Sequence, residues 1–121
     1  MIQLNETFRY LVCAPDLNAH GTLHGGELLR WIDEAAGMHS RKITRRVCVT
    51  VAMSDVRFVS KAKAGDIMRI TTNLRRLGNS SLHFGVSVVE DISGREIANV
   101  GVITFVSIDH QGNPVTHGVT L

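Results

Sequence analysis

Cysteine is scarce in this chain of 121 residues: only Cys13 and Cys48 occur, and they form no CxxC pair. That argues against a disulfide framework, and their apolar neighbours point to buried free thiols. Long hydrophobic runs are also lacking, so no segment is expected to cross a bilayer as a helix. The first ten residues, MIQLNETFRY, have neither the basic start nor the long apolar core of an export signal, so the expected location is the cytoplasm. Charge of one sign is not in excess, the formal net charge being +2. Basic residues do cluster at Arg41, Lys42, Arg45 and Arg46, and again at Arg75 and Arg76. No aromatic residues are interleaved with them and no nucleic-acid motif accompanies them. They fit a solvated surface with cations at a helix C-terminus better than a phosphate-binding strip. Neither a nucleic acid nor a membrane is expected as a partner.

Two further absences narrow the chemistry. No GxSxG elbow is present, so a serine triad has no support. His20, His24 and His39 have no cysteine or carboxylate at a zinc-binding spacing, so no metal is expected. There is no linker, repeat or low-complexity tract. The length suits one domain over residues 1–121. So short a chain buries a limited share of its surface alone, and a subunit interface would help it.

What is present is one helical period among several strand periods. Residues 8–14, FRYLVCA, read as a short strand that Pro15-Asp16 ends. A polar, glycine-rich loop follows over residues 17–26. From Glu27 to about Arg41 the apolar positions Leu28, Leu29, Ile32, Ala35, Ala36 and His39 recur at helical spacing, with no proline. Residues 47–59 read as a long strand with Val47, Val49, Val51 and Met53 on one face. The alternation breaks at Asp55, which implies a bulge or a strong bend. Residues 67–77 form a strand with Met68, Ile70 and Leu74 on one face. Gly78-Asn79 makes a hairpin turn, after which Leu82, Phe84, Val86 and Val88 alternate with polar or small residues. Residues 97–108 are apolar throughout and suit a central strand covered on both faces. Four consecutive strands with short turns favour an antiparallel sheet, on which the helix must bury its stripe. The expected fold class is α+β.

Three features could carry chemistry. Asp33 interrupts the apolar helix and shares the flank of Leu29 and Ala36; a carboxylate there is costly unless bonded or used. It is otherwise a carboxylate that reaches solvent or pairs with a second subunit. Gly25-Gly26 opens the same helix, where unpaired N–H groups and the positive dipole end suit a developing oxyanion. It also fits a tight loop-to-helix turn. Asn18 lies in the preceding loop and could orient a water or a carbonyl, or merely close an Asx turn.

The segment from Asn18 to Gly37, NAHGTLHGGELLRWIDEAAG, resembles the acyl-CoA hydrolase family of hotdog-fold thioesterases. The resemblance continues through VTVAMSDVRFVSKAKAGD (49–66), LGNSSLHFGVSV (77–88) and TFVSIDHQGNP (104–114). It implies a five-stranded antiparallel sheet wrapped around one long central helix. It also implies self-association into dimers, and of dimers into tetramers or hexamers, with active sites between paired subunits. The implied substrate is an acyl-CoA; no cofactor is expected, because coenzyme A belongs to substrate and product. By the same resemblance Asp33 is general base or nucleophile, Asn18 acts from the partner subunit, and Gly26 supplies a backbone donor to the thioester carbonyl. His24, Gly25, Phe58, Gly78, Ser80 and Ser81 match substrate-binding positions. Lys61 stands where the family commonly has a proline. Two other activities share the fold: a non-catalytic acyl-CoA-binding module, and a hydratase or dehydratase.

Overall fold

A computed structural model describes residues 2–121. The elements are β1 (Asn5–Leu11), a 3-10 turn (Ala14–Asp16), α1 (Gly25–Thr44), β2 (Cys48–Phe58), β3 (Ile67–Leu77), β4 (Ser81–Glu90) and β5 (Glu96–Ser107). The five strands form one antiparallel sheet in the order β1-β3-β4-β5-β2. This is the α+β arrangement the resemblance implies.

The core follows from the helical stripe. Leu28, Trp31, Ile32, Ala35, Ala36 and His39 are all buried on one side of α1. Opposite them lie Met68, Ile70 and Leu74 of β3, Leu82, Phe84, Val86 and Val88 of β4, and Ile97, Val100, Ile103 and Phe105 of β5. Alternate strand residues reach the helix because side chains point to opposite faces in turn. Phe84 sits at the centre, edge-on to Phe105 with ring centroids 6.1 Å apart and 5.0 Å from the His39 ring. His39 is fully buried and pairs through Nε2 with the Gln3 carbonyl (2.7 Å) and through Nδ1 with Thr72 Oγ1 (2.8 Å). The carbonyl can only accept, so Nε2 carries the proton and Nδ1 accepts from the threonine. Burial pushes the His39 pKa down, which keeps the ring neutral.

Several boundaries differ from the sequence reading. β1 runs from Asn5 rather than Phe8, because the polar Asn5, Glu6 and Thr7 pair with Asn73, Thr72 and Thr71 at the sheet edge. It ends at Leu11, where Asp16 folds back to accept from the Cys13 N–H (2.8 Å). Cys13 is therefore exposed and Cys48 only half-buried, although both thiols are free. α1 is longer at both ends. Its C-terminus closes where Arg45 turns left-handed (φ 61) and donates its N–H to the Arg41 carbonyl (2.9 Å). β2 does break its alternation, with a register shift between Thr50 and Ala52 and a left-handed Asp55 (φ 56). Asp55 fits because its neighbour is Gly101: a Cβ there would lie 2.8 Å from the Asp55 Cβ. The apolar face read at Val47, Val49 and Val51 is exposed in the single chain: Thr50 and Met53 pair with the buried Phe105 and Ile103, so Val49, beside Val106, points to the sheet face away from α1.

The β4–β5 turn is held by one carboxylate. Glu90 accepts from the backbone N–H groups of Ile67 (3.0 Å), Ser93 (2.8 Å) and Ile92 (3.1 Å). These donors, led by Ile67, pull its pKa from 4.5 down to about 2. The folded state thus releases the proton more readily than the unfolded chain. The stabilisation is complete above the ordinary value and is lost as pH falls through about 2. Glu90→Gln should lower the melting temperature at neutral pH, and its gap from wild type should close between about pH 5 and pH 2. A gap that does not vary over that range would contradict the role given to the charge.

Candidate active site

The loop before α1 is built by local hydrogen bonds. Asn18 Oδ1 accepts from the N–H groups of His20 (2.9 Å) and Thr22 (3.2 Å) and from Thr22 Oγ1 (3.2 Å). Asn18 is thus an Asx-turn residue, with its amide nitrogen free of bonds to other described residues. The loop returns on the Leu17–Leu23 bridge and delivers His24 to the N-cap. There His24 Nδ1 accepts the Gly26 N–H at 2.9 Å. The helix starts two residues earlier than its apolar period indicates, because a histidine serves as cap. The N–H expected to face an oxyanion is therefore engaged by His24 in the isolated chain.

Two recesses flank this helix start. One cleft of about 190 Å³ is lined by Asn18, Gly25 and Phe58, with Leu28, Lys61 and Ile97 among its other walls. Gly25 lets Phe58 approach: a Cβ there would stand 3.6 Å from the ring. On the other side, His24, Gly26 and Glu27 line an open recess with Pro15, Asp16 and Leu17. A larger groove of about 370 Å³ lies at the far end of the helix and contains none of these residues.

Asp33 sits eight residues beyond Gly25, about 12 Å along the helix axis. It is half-buried, as its position on the flank of the stripe requires. Thr50 Oγ1, at the register shift of β2, donates a hydrogen bond to Asp33 Oδ1. This hydroxyl leaves Oδ2 with no hydrogen bond to the described residues and fixes how the carboxylate faces. The sequence reading missed Thr50. Only the packing of α1 against β2 brings the two together, and nothing in the spacing of 33 and 50 reveals it.

Gly78, Ser80 and Ser81 form the β3–β4 hairpin. The Gly78 N–H donates to the Ser81 carbonyl (2.9 Å), and a Cβ at Gly78 would collide with the Ser81 hydroxyl. The Ser80 carbonyl accepts the Ser107 N–H (2.9 Å). Phe58 pairs with Ala98 at one end of β5, whereas Ser107 pairs with Cys48 at the other. The hairpin and the Asn18 cleft therefore lie at opposite ends of the sheet. One chain gathers His24, Gly25, Gly26, Asn18 and Phe58 near the helix start, keeps Asp33 with Thr50 at mid-helix, and leaves the hairpin apart. Among the described residues no group of three histidine, cysteine or acidic side chains is arranged to hold a metal. No helix there is long and apolar enough to cross a membrane.

A long helix held in a five-stranded antiparallel sheet, with a carboxylate on its flank, defines a hotdog-fold protein of enzyme-like build. The family model of the thioesterase superfamily matches residues 20–97, and the chain belongs to that superfamily. It is similar to an uncharacterised acyl-CoA thioester hydrolase of Bacillus subtilis, with 34% identity over 103 residues, covering 83% of this chain and 60% of the relative. The chain thus spans about 60% of the length of this relative, and 58% of protein VdlD of Helicobacter pylori. Among solved structures, an acyl-CoA hydrolase of Staphylococcus aureus in complex with butyryl coenzyme A, coenzyme A and coenzyme A disulfide superposes with a TM-score of 0.80. Its identity is 29%, covering 93% of this chain and 68% of that one. A hexameric thioesterase of Yersinia pestis gives a TM-score of 0.85 at 25% identity, covering 90% and 91%.

The cap at His24 makes a direct prediction. His24→Ala should destabilise the chain by about 1 kcal/mol in denaturant unfolding, with faster amide exchange at Gly26. Unchanged stability together with unchanged exchange would remove the cap from the account.

Proposed function

We propose that this chain is the hydrolytic unit of an acyl-CoA thioesterase, converting an acyl-CoA and water to a free acid and coenzyme A. The observation that carries the reading is the half-buried Asp33, bonded by Thr50 on the free edge of the sheet. A carboxylate with one oxygen fixed and the other unengaged is suited to take a proton from water. Water oxygen attacks the thioester carbonyl carbon as its proton passes to Asp33. The tetrahedral intermediate then expels the coenzyme A thiolate by breaking the carbon–sulfur bond, and Asp33 returns the proton to the sulfur. In the variant route Asp33 attacks directly and forms an anhydride that water opens. Label found in the Asp33 carboxylate after a single turnover in labelled water would contradict the general-base route, since only an anhydride opened by water at the Asp33 carbon puts it there.

The remaining roles need a second copy. Within one chain Asn18 and Asp33 make no mutual hydrogen bond, and the edge of β2 is free to continue the sheet. Antiparallel pairing of two β2 strands would carry the helix start of one subunit toward the mid-helix of the other. Asn18 of the partner subunit would then orient the water, and Gly25, Phe58 and the Gly78–Ser81 hairpin would line a site shared by two chains. Dimers would assemble further into a tetramer or hexamer. For the Gly26 N–H to serve the oxyanion, the His24 ring must leave its capping position as substrate enters.

Release of free coenzyme A thiol from short, medium and long acyl-CoAs tests the proposal. Asp33→Ala should lower turnover at least about 100-fold. Thr50→Val, which removes one bond to a charged group, should cost about 10- to 100-fold in kcat. No release from any substrate by an assembled wild type, or full activity in Asp33→Ala, would overturn the reading.

A further inference from the structure

We propose that Lys61 is a specificity-determining residue whose ammonium takes an anionic group of the thioester substrate at the cleft beside Asn18 and Gly25. The inference rests on the thioesterase reading and names what that site selects. The cleft is mainly apolar: Leu23, Leu28, Phe58, Ala62 and Ile97 line it, and Leu28, Ala62 and Ile97 are buried. Its other polar side chains carry no charge, and Asn18 Oδ1, Thr22 Oγ1 and Ser60 Oγ are engaged, which leaves only the neutral Asn18 amide nitrogen without a bond to the described residues. Asn18 Oδ1 is used within its own loop. Ser60 Oγ donates to the Glu96 carbonyl (2.5 Å) and accepts from Arg95 Nη1 (2.9 Å). Among the described residues Lys61 is the only charged one lining the cleft, and no carboxylate lines it. The Lys61 ammonium makes no ion pair among the described residues.

The chain also fixes where that cation starts. Arg95 Nη1 donates to the Lys61 carbonyl at 2.6 Å, while Nη2 reaches Asp66 Oδ2 at 3.4 Å. On either side, the Ser60 N–H bonds the Ile97 carbonyl (3.2 Å) and the Ala62 carbonyl accepts the Leu23 N–H (2.8 Å). The backbone of Ser60–Ala62 is thus tied to β5, to the preceding loop and to Arg95. An ammonium mounted on a fixed strap beside an apolar, partly enclosed cleft attracts an anion more strongly than one on open surface. Two parts of such a substrate carry this chemistry: a carboxylate at the far end of a dicarboxylic acyl group, and a phosphate of coenzyme A.

The test compares wild type, Lys61→Met and Lys61→Arg on butyryl-CoA, succinyl-CoA and S-butyryl-pantetheine, which lacks phosphate. Lys61→Met keeps the aliphatic stem and removes the charge. If the acyl carboxylate is the ligand, the kcat/KM ratio of succinyl-CoA to butyryl-CoA should fall about three- to tenfold in Lys61→Met. If a phosphate is the ligand, the ratio of butyryl-CoA to S-butyryl-pantetheine should fall by a similar factor. Lys61→Arg should restore whichever ratio falls. Calorimetric binding of coenzyme A and of a non-hydrolysable succinyl-CoA thioether gives the same comparison without turnover. A wild type that binds these probes but cleaves no thioester would overturn the hydrolase reading while Lys61 is still judged by binding. Ratios and affinities that do not change in Lys61→Met, or a wild type that binds neither probe, would overturn the role of Lys61.

Discussion

The burial of one helix stripe in one curved sheet sets the terms for every other feature. Ile32, Ala35 and Ala36 are fully buried on α1, and Phe84 faces them from β4. At about 25 cal/mol per Å² of apolar surface, this contact is the main favourable contribution the chain can make alone. Because the helix is clasped on one side, its flanks become the places where polar groups can sit half-covered. Asp33 occupies such a flank, and Thr50 reaches it from β2. The same geometry puts the helix start beside Phe58 and the Asn18 loop, so the candidate binding residues and Asp33 share one support, α1.

The helix N-terminus serves two demands that compete. Stability calls for each first-turn N–H to find an acceptor, and His24 supplies one to Gly26. Oxyanion stabilisation calls for an N–H left available to substrate. In the proposed site a histidine cap would reconcile the two, because its ring is exposed and can turn aside at lower cost than a buried partner. The exposed edge of β2 poses the parallel question for the sheet. Its backbone N–H and C=O groups have no neighbour on one side, and an unpaired edge strand is a liability unless it pairs. The proposed pairing edge and the proposed catalytic carboxylate's partner Thr50 thus lie on the same strand.

Much of the fold was legible in the sequence. Residues 67–77 match β3 at both ends, and Leu82, Phe84, Val86 and Val88 are the buried face of β4. Strict alternation and glycine turns are local signals, and they survive packing. The start of β1 was hidden because an edge strand need not be apolar, so Asn5-Glu6-Thr7 carries no hydrophobic pattern. The helix start was hidden because a histidine cap lacks the usual serine or aspartate signature. In the site, Asp33 and Gly25-Gly26 could be nominated because each breaks a local pattern, whereas Asn18, ordinary in a polar loop, could be nominated by its donor and acceptor chemistry and by the resemblance. Thr50 breaks none: a threonine in a strand is ordinary, and its partner lies across the sheet–helix interface.

The central claim is that one site draws Asp33 and Asn18 from different subunits. The most direct test mixes Asn18→Ala and Asp33→Ala protomers, each nearly inactive alone, and lets them exchange. Random pairing makes about half of the dimers mixed, and each mixed dimer holds one site with both residues intact. The mixture should therefore recover about a quarter of wild-type activity. A mixture no more active than its parents, with exchange verified, would contradict a site shared between subunits.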